Sequence, residues 1–271
     1  MIKKSKLVAA LAALVVVTSG MFGCSKEPKD ISRNNDKKIM VFAAASLTES
    51  FNDIGKEFKE DKKIDVVFNF AGSQALVQSI NQGSPADIFA SANTSYMDEL
   101  KKADKVEESK IFSENKLVIC RSKTSKISVG NFKDLSKDDL KLVIGDKTVP
   151  VGSYFYKVLE EQKQKKFIDD NTYYAIKANI KSNELNVKDV LAKVVLGEAD
   201  AGVVYKTDIN EANKDKVDIV EISEFNNLKV QYPIMRLKAS KNKLEAEEFI
   251  TYITEGKGKD ILKKHGFDIR K

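Results

Sequence analysis

The feature that most constrains this chain is a regular alternation of short apolar runs with helical patterns, which begins near position 39. Residues 39–44 are apolar throughout rather than alternating, as in strands that are buried on both faces of a parallel sheet. Leu47, Phe51, Ile54 and Phe58 then recur at the spacing of an amphipathic helix. Because the alternation continues to the end of the chain, it predicts an α/β architecture with parallel sheets.

The same patterns predict the other elements. Further strands are predicted at 64–70, 86–90, 117–120, 142–144, 201–205, 217–222 and 230–237. Further helices are predicted through Leu76 and Ile80, through Met97 and Leu100, and at 156–164, 187–196 and 244–253. The 271 residues allow one large or two small domains, and a mean hydropathy of −0.34 excludes a polytopic membrane protein.

The N-terminal residues have the pattern of an export signal. Three lysines within the first six residues precede eleven apolar residues, 7–17, which are too few to span a bilayer but typical of a signal peptide. Gly23 and Cys24 then resemble a bacterial lipobox, although Phe22 stands where a small residue is usual. We therefore predict a signal peptide at 1–23 and a lipid on Cys24. The alternative is an ordinary signal peptide followed by an unmodified cysteine.

The net charge of +6 belongs mostly to these N-terminal residues. Residues 25–38 contain one aliphatic side chain, so residues 24–38 are predicted to be the lipid-anchor cysteine and a flexible tether. Removing the three signal lysines and the five basic and three acidic residues of the tether from the chain's 46 and 40 leaves 38 basic and 37 acidic residues. The folded part is therefore almost neutral, which argues against nucleic acid as a partner.

Two serines follow predicted strands at the point where a helix begins. Ser46 comes after the first strand and precedes Glu49 by three residues, the spacing of a capping box. Ser73 follows the second strand in the same way. Ligands of open α/β sheets bind at the carboxyl ends of the strands, and helix N-termini favour anions. These serines therefore indicate an anion site, unless they serve only as helix caps.

Three further residues are predicted at the same edge of the sheets. Val151 follows the strand 142–144 in a turn, before a helix that we expect to begin at Tyr154. Val187 begins a helix that Asn186 caps, so its N–H group faces outward. Tyr205 ends an apolar strand, where its hydroxyl would reach the edge of the sheet, although a structural tyrosine is the alternative.

Six segments in this order resemble the molybdate-binding proteins of ABC importers. They are VFAAASL (41–47), FAGS (70–73), GSPADIFASA (83–92), GVVYKTD (202–208), YPI (232–234) and KHGF (264–267). The resemblance implies a two-lobed type II periplasmic-binding-protein fold, with two mixed sheets flanked by helices and two hinge crossovers. It also implies that lobe I comprises 39–116 plus 232–271, and lobe II 117–231.

The resemblance implies a function and a set of site residues. The function is binding of molybdate, and also of tungstate, with delivery to an ABC permease and its cytoplasmic ATPase by lobe closure. The hydroxyl donors would be Ser46, Ser73 and Tyr205, and the N–H donors Ser46, Ser73, Val151 and Val187. These groups would surround the molybdenum oxyanion, with no direct metal ligand and no cofactor.

The predicted protein is an exported monomer that Cys24 holds at the outer face of the cytoplasmic membrane, or a periplasmic one. A receptor for another tetrahedral oxyanion, such as tungstate or sulfate, and a lipid-anchored oxyanion sensor are the alternatives. An enzyme is not expected, because His265 is the only histidine and no nucleophile elbow, zinc spacing or phosphate-binding glycine loop occurs. His265 is predicted to be exposed, Cys120 to be a buried apolar residue, and Asp87 to be structural.

Overall fold

The computed structural model describes residues 37–269, which form two five-stranded sheets with helices packed against them. Part of the first sheet and its helices comes from the N-terminal half of the described chain. These elements are β1 (Lys37–Ala44), α1 (Thr48–Lys62), β2 (Ile64–Ala71), α2 (Ser73–Asn81), β3 (Ile88–Ala90), α3 (Ser95–Lys102) and β4 (Lys110–Asn115).

The intervening part of the chain forms the second sheet, after which the chain returns to the first. The second set is β5 (Leu117–Ser122), β6 (Leu142–Gly145), α4 (Pro150–Gln164), α5 (Asp170–Asn179), β7 (Ile180–Glu184), α6 (Val187–Val195), β8 (Ala201–Tyr205) and β9 (Val217–Val220). The returning elements are β10 (Val230–Arg236), α7 (Lys243–Thr254) and α8 (Lys257–Lys264).

Both sheets are mixed, as the fold-class prediction states. The strand order is β2-β1-β3-β10-β4 in the first sheet and β7-β6-β8-β5-β9 in the second. β1 is parallel to β2 and β3, while β10 is antiparallel to β3 and β4. β6 is likewise parallel to β7 and β8, while β5 is antiparallel to β8 and β9. The parallel strands that the alternation predicts are present as β2-β1-β3 and β7-β6-β8. The antiparallel strands are β10 and β5, and each of them follows a crossover.

The chain crosses between the sheets twice. A single residue, Lys116, separates β4 in the first sheet from β5 in the second. The return crossover joins β9 to β10 through a short 3-10 helix, Ser223–Phe225. Asn115 and Tyr232 lie on the two crossover strands of the first sheet, so both crossovers are close to the residues described below.

The core explains why residues 39–44 are apolar without alternation. Val41 of β1 belongs to a cluster with Phe51 and Phe58 of α1, whereas its neighbour Phe42 belongs to a second cluster with Leu76 of α2. β1 therefore carries buried side chains on both faces, as expected for a central strand covered by helices on each side. Burial of each such side chain contributes roughly 1.5–3 kcal/mol before entropy is counted.

Four elements are absent from the sequence prediction: β4, β7, α5 and α8. β7 has the polar sequence IKSNE, lies at the edge of the second sheet and alternates between half-buried and exposed residues. Its residues join the sheet through main-chain hydrogen bonds to β6, so no apolar run marks it.

The predicted signal peptide, the tether and Cys24 lie outside the described residues. Within 37–269, no helix has both the length and the apolar character that a membrane span requires.

Candidate functional site

All five predicted site residues line one cavity between the two sets of elements. Ser46 and Ser73 come from the first sheet and its helices, and Val151, Val187 and Tyr205 from the second. The free volume of the cavity is about 10 Å³, which is roughly the space of one water molecule. None of the described residues that line it carries a charge.

Ser46 lies in the cavity wall, but not for the predicted reason. It occupies a 3-10 turn, Ala45–Leu47, and α1 begins only at Thr48 without a side-chain cap. The predicted capping box with Glu49 is therefore wrong. The Ser46 hydroxyl instead lies 2.9 Å from the hydroxyl of Tyr232, a residue 186 positions away in the chain.

Ser73 is the first residue of α2, as predicted, with Gly72 at the N-cap position. Its Oγ accepts a hydrogen bond of 3.2 Å from the N–H of Ala92, and its side chain is buried. Because the Ser73 oxygen accepts this bond, its own hydroxyl proton is available for a group in the cavity. Its main-chain N–H lies in the first turn of α2, where there is no preceding helical carbonyl.

Val151 lies in the first turn of α4, which begins at Pro150 rather than at Tyr154 as predicted. Proline suits this first position because its missing N–H would have no partner there. A Cβ on Gly152 would lie 2.1 Å from the carbonyl oxygens of Gly145 and Asp146, so only glycine allows the helix to start this close to β6. The N–H of Val151 thus belongs to a helix N-terminus that faces the cavity.

Val187 is the first residue of α6, and its predicted cap is confirmed. The Oδ1 of Asn186 accepts a 3.0 Å hydrogen bond from the N–H of Asp189, and its Nδ2 donates to the Asp189 carboxylate at 2.6 Å. This exchange fixes the first turn of α6, whose first residue, Val187, lines the cavity.

The Tyr205 hydroxyl supplies a third donor from the end of β8. The side chain is 1% exposed, and its Oη has no hydrogen-bond partner among the described residues. Burial, with smaller contributions from Tyr232, Tyr154 and Asp208, raises the pKa of Tyr205 well above its usual value. The hydroxyl therefore keeps its proton and can act as a donor.

Two sets of residues near the cavity were not predicted from the sequence patterns. Tyr232 belongs to one of the segments that carry the family resemblance. No sequence pattern predicts that its hydroxyl contacts Ser46 and Asn115. Lys188, next to Val187, lies 2.7 Å from Glu49 on α1 and 3.2 Å from the buried Asp208. Burial lowers the pKa of Lys188, but these two carboxylates raise it above its usual value overall.

The remaining titratable candidates lie elsewhere. His265 is half-buried rather than exposed, and its Nε2 is 3.0 Å from the Oδ2 of Asp53. Cys120 is buried, as predicted, and burial raises the pKa of its thiol to about 12. Asp87 accepts hydrogen bonds from Met40, Ser240 and Asn242, which agrees with a structural role. Among the described residues, no cluster of His, Cys, Asp and Glu could hold a metal ion.

The sequence is similar to proteins of a known family. Residues 39–268 match the family described as bacterial extracellular solute-binding protein. The molybdate-binding protein ModA of Mycobacterium tuberculosis is 34% identical over 263 residues, which cover 96% of this chain and 95% of that protein. A putative ABC transporter substrate-binding lipoprotein of Bacillus subtilis, YvgL, is 29% identical and covers 98% of both chains.

Solved structures share the fold. The substrate-binding domain of a putative molybdenum ABC transporter from Clostridium difficile has a TM-score of 0.61 at 31% identity and covers 86% of this chain and 99% of its own. The periplasmic molybdate-binding protein of Azotobacter vinelandii has a TM-score of 0.71 at 18% identity, covering 86% and 100%. The sulfate-binding protein SubI of Mycobacterium tuberculosis has a TM-score of 0.74 at 14% identity, covering 85% and 86%. The predicted two-sheet binding-protein fold is thereby confirmed.

Proposed function

The chain belongs to the molybdate-binding proteins among the bacterial extracellular solute-binding proteins, and on that premise we propose that its cavity binds molybdate for uptake by an ABC importer. It is a binding protein of the extracellular or periplasmic space and not an enzyme. The observation that carries the proposal is the convergence of three hydroxyls and three helix N-termini on one small, uncharged cavity.

The chemistry of this cavity suits a dianion. A fully ionised oxyanion only accepts hydrogen bonds, and Ser46, Ser73 and Tyr205 can donate while Val151 and Val187 present main-chain N–H groups. Each such charge-assisted hydrogen bond contributes roughly 1.5–3 kcal/mol. The partial positive charge of the helix N-termini takes the place of lysine or arginine. Hydrogen phosphate carries a proton that needs an acceptor, so a site built of donors disfavours it.

We further propose that two lobes close around the ligand. Lobe I comprises 39–116 plus 232–271, and lobe II comprises 117–231. The boundary between 231 and 232 falls two residues inside β10. Three contacts join the two sets of elements around the cavity and support this proposal. Glu49 pairs with Lys188, Gln74 Nε2 donates to the carbonyl of Leu185 at 2.7 Å, and the Tyr96 hydroxyl donates to the carbonyl of Thr148.

For location and partners, we propose a lipoprotein that Cys24 tethers at the outer face of the cytoplasmic membrane and that delivers its ligand to a permease with a cytoplasmic ATPase. The lipobox-like sequence at 23–24 and the B. subtilis relative described as a lipoprotein support the tether. The proposal can be checked by metabolic labelling with a lipid precursor, which should be lost in Cys24→Ala.

Calorimetric titration of the protein with molybdate, tungstate, sulfate and phosphate tests the ligand assignment. We expect tight binding of molybdate, with tungstate as the second ligand, and much weaker binding of phosphate, with a Kd in roughly the millimolar range. Binding of sulfate in preference to molybdate would favour a receptor for a different oxyanion. Equal binding of phosphate and molybdate, or no binding of molybdate, would show that the assignment is wrong.

The serine hydroxyls provide a residue-level test of the same proposal. Ser46→Ala and Ser73→Ala should each weaken molybdate binding about 10- to 100-fold, because each removes one hydrogen bond to a charged ligand. Both variants should still unfold cooperatively, with apo melting temperatures lowered by roughly 2–10 °C, because the Tyr232 hydroxyl and the Ala92 N–H each lose a buried hydrogen-bond partner. Ser50→Ala is the matched control, since Ser50 is an equally buried serine that donates to the Leu47 carbonyl and does not line the cavity.

A further inference from the structure

Ser46 is the one cavity hydroxyl whose hydrogen-bond direction depends on other side chains. Ser73 accepts from a main-chain N–H, which cannot reverse its role. Ser46 instead faces the hydroxyl of Tyr232 at 2.9 Å, and either oxygen could be the donor. Which of the two donates decides whether Ser46 offers a proton or a lone pair to the cavity.

Asn115, which also contacts the Tyr232 hydroxyl, sets the direction of the hydrogen bond between Tyr232 and Ser46. Its Oδ1 accepts a 2.8 Å hydrogen bond from the N–H of Lys116, which fixes the orientation of the amide group. Its Nδ2 therefore points to the other side, 2.8 Å from the Oγ1 of Thr207 and 3.4 Å from the Oη of Tyr232. An amide nitrogen only donates, so the Tyr232 oxygen accepts at this contact.

The Tyr232 hydroxyl therefore has one proton to donate and one neighbouring acceptor. The residue is fully buried, and burial raises the pKa of its hydroxyl well above the usual value, so the proton is retained. Among the described residues, Ser46 and Asn115 are its hydrogen-bond contacts, and only Ser46 can accept. The reverse direction would leave the Tyr232 proton buried without an acceptor, which is unfavourable.

We propose that Asn115 and Tyr232 are positioning residues that make Ser46 a donor to the cavity, and that they thereby favour a fully deprotonated oxyanion over a protonated one. The direction runs from Asn115 Nδ2 to Tyr232 Oη, from Tyr232 Oη to Ser46 Oγ, and from Ser46 Oγ to the ligand. We call this chain of hydrogen bonds the relay. This inference rests on the proposed function, and it assigns ligand selectivity to two residues that do not line the cavity.

Two substitutions test the direction with little change of shape. Tyr232→Phe keeps the ring, which packs edge-on against Tyr205 and Phe267, but leaves the Ser46 hydroxyl free to rotate. Asn115→Asp replaces the Nδ2 donor by an acceptor, so the Tyr232 hydroxyl would donate to the new carboxylate and Ser46 would donate to Tyr232. We expect the first to weaken molybdate binding about 10-fold and the second about 100-fold.

The double variant separates reversal of the hydrogen bonds from the added negative charge. In the Tyr232→Phe background the relay is already broken, so Asn115→Asp should cost only the few-fold loss that its charge causes. Non-additivity of this kind, together with a fall in the ratio of molybdate to phosphate affinity in Tyr232→Phe, supports the proposal. Tyr252→Phe is the control, because it removes a buried hydroxyl that donates to Asp61 and should leave both affinities unchanged.

Additive effects of the two substitutions, or an unchanged molybdate-to-phosphate ratio in Tyr232→Phe, would overturn the relay while leaving molybdate binding by the wild type intact. A wild type that binds no molybdate would instead overturn the proposed function and the relay with it. If Asn115→Asp does not fold by its melting transition, Asn115→Ala replaces it in the same cycle. In the Tyr232→Phe background, Asn115→Ala should cause no further loss of molybdate affinity.

Discussion

At the scale of single residues, the proposed role of the Tyr205 hydroxyl in binding carries a cost in stability. A buried hydroxyl without a partner costs about 1–3 kcal/mol of folding free energy, and Tyr205 has none among the described residues. The same hydroxyl is already desolvated, on a residue that lines the cavity. Its hydrogen bond to an oxyanion would therefore be formed without a further desolvation penalty on the protein side.

Tyr205→Phe should consequently separate stability from binding. We expect the free energy of unfolding of the apo protein to stay equal or to rise by about 1 kcal/mol, because the unpaired hydroxyl is removed. Molybdate affinity should fall about 10-fold or more, because one hydrogen bond to a charged ligand is lost. Chemical denaturation and calorimetry measure the two quantities.

Tyr173→Phe is the matched control for this prediction. The Tyr173 hydroxyl donates to Glu160 at 2.5 Å and does not line the cavity, so its removal should lower stability slightly and leave binding unchanged. A Tyr205→Phe variant that loses stability but keeps full affinity would show that the hydroxyl has a structural role only.

At the scale of elements, the site is assembled from the carboxyl ends of the parallel strands. β2 leads to α2, β6 leads to α4 and β7 leads to α6, and the helix N-termini that follow these strands line the cavity. β1 and β8 add Ser46 and Tyr205 from the same edge. Because parallel strands end on the same side of a sheet, turns that are distant in the sequence meet there.

The cap of α6 should therefore matter for binding as well as for stability. Asn186→Ala removes the side chain that holds the N–H of Asp189, and it should cost about 1 kcal/mol of stability. It should also weaken molybdate binding, because the first turn of α6 frays and the N–H of Val187 is no longer held in place.

A cap far from the cavity provides the comparison. Asp169 caps α5 by accepting from the N–H of Thr172 at 2.7 Å, so Asp169→Ala should cost similar stability without loss of affinity. Thermal unfolding and titration of both variants check the prediction. Equal affinity in the two variants would mean that the order of the α6 N-terminus does not contribute to the site.

At the scale of the whole molecule, the pair Glu49–Lys188 joins elements of the two sheets beside the cavity. Glu49→Gln removes the charge that attracts Lys188 but leaves Lys188 paired with the buried Asp208. We expect a two- to fivefold faster dissociation of molybdate, since a partly exposed pair contributes roughly 0.2–1 kcal/mol. Stopped-flow measurements should also show that the difference shrinks at high salt.

Glu248→Gln is the control for this prediction. Glu248 has the same 42% side-chain exposure as Glu49, but it pairs with Lys62 between two helices of the first sheet. Its removal should not change dissociation. An equal effect of the two substitutions would contradict a role of the Glu49 pair in holding the two parts together.

The buried tyrosines predict how stability depends on alkaline pH. Burial raises the pKa of Tyr154 to about 12 and those of Tyr205 and Tyr232 well above the usual value. Above a pH of about 10 the unfolded chain releases these protons while the folded chain keeps them. The folded state then binds more protons, so the free energy of unfolding must fall as pH rises, by up to about 1.4 kcal/mol per pH unit for each tyrosine.

Urea unfolding between about pH 8 and pH 11.5 measures this dependence. Stability should be insensitive to these groups below about pH 9 and should then decline. Tyr154→Phe should reduce the slope, because it removes one of the groups whose pKa is raised by burial. A flat profile over the whole range would contradict the retention of protons by the buried hydroxyls.

The sequence by itself determined the features that depend on neighbours a few residues apart. Strand and helix periodicity, the Asn186 cap and the small turns with Ser46 and Ser73 are local patterns. Together with the family resemblance, they predicted five residues that line one cavity. The polar edge strand β7 was not predicted, because its stability comes from main-chain hydrogen bonds to a partner strand.

Only the tertiary structure decided the contacts that act on those residues. Ser46 meets Tyr232 across 186 positions, Asn115 meets Tyr232 across 117, and Glu49 meets Lys188 across 139. These contacts depend on the position to which the chain returns after each crossover. The periodicity of the sequence does not predict that position. The sequence therefore predicted residues that line one cavity, whereas the contacts that set their hydrogen bonds required the fold.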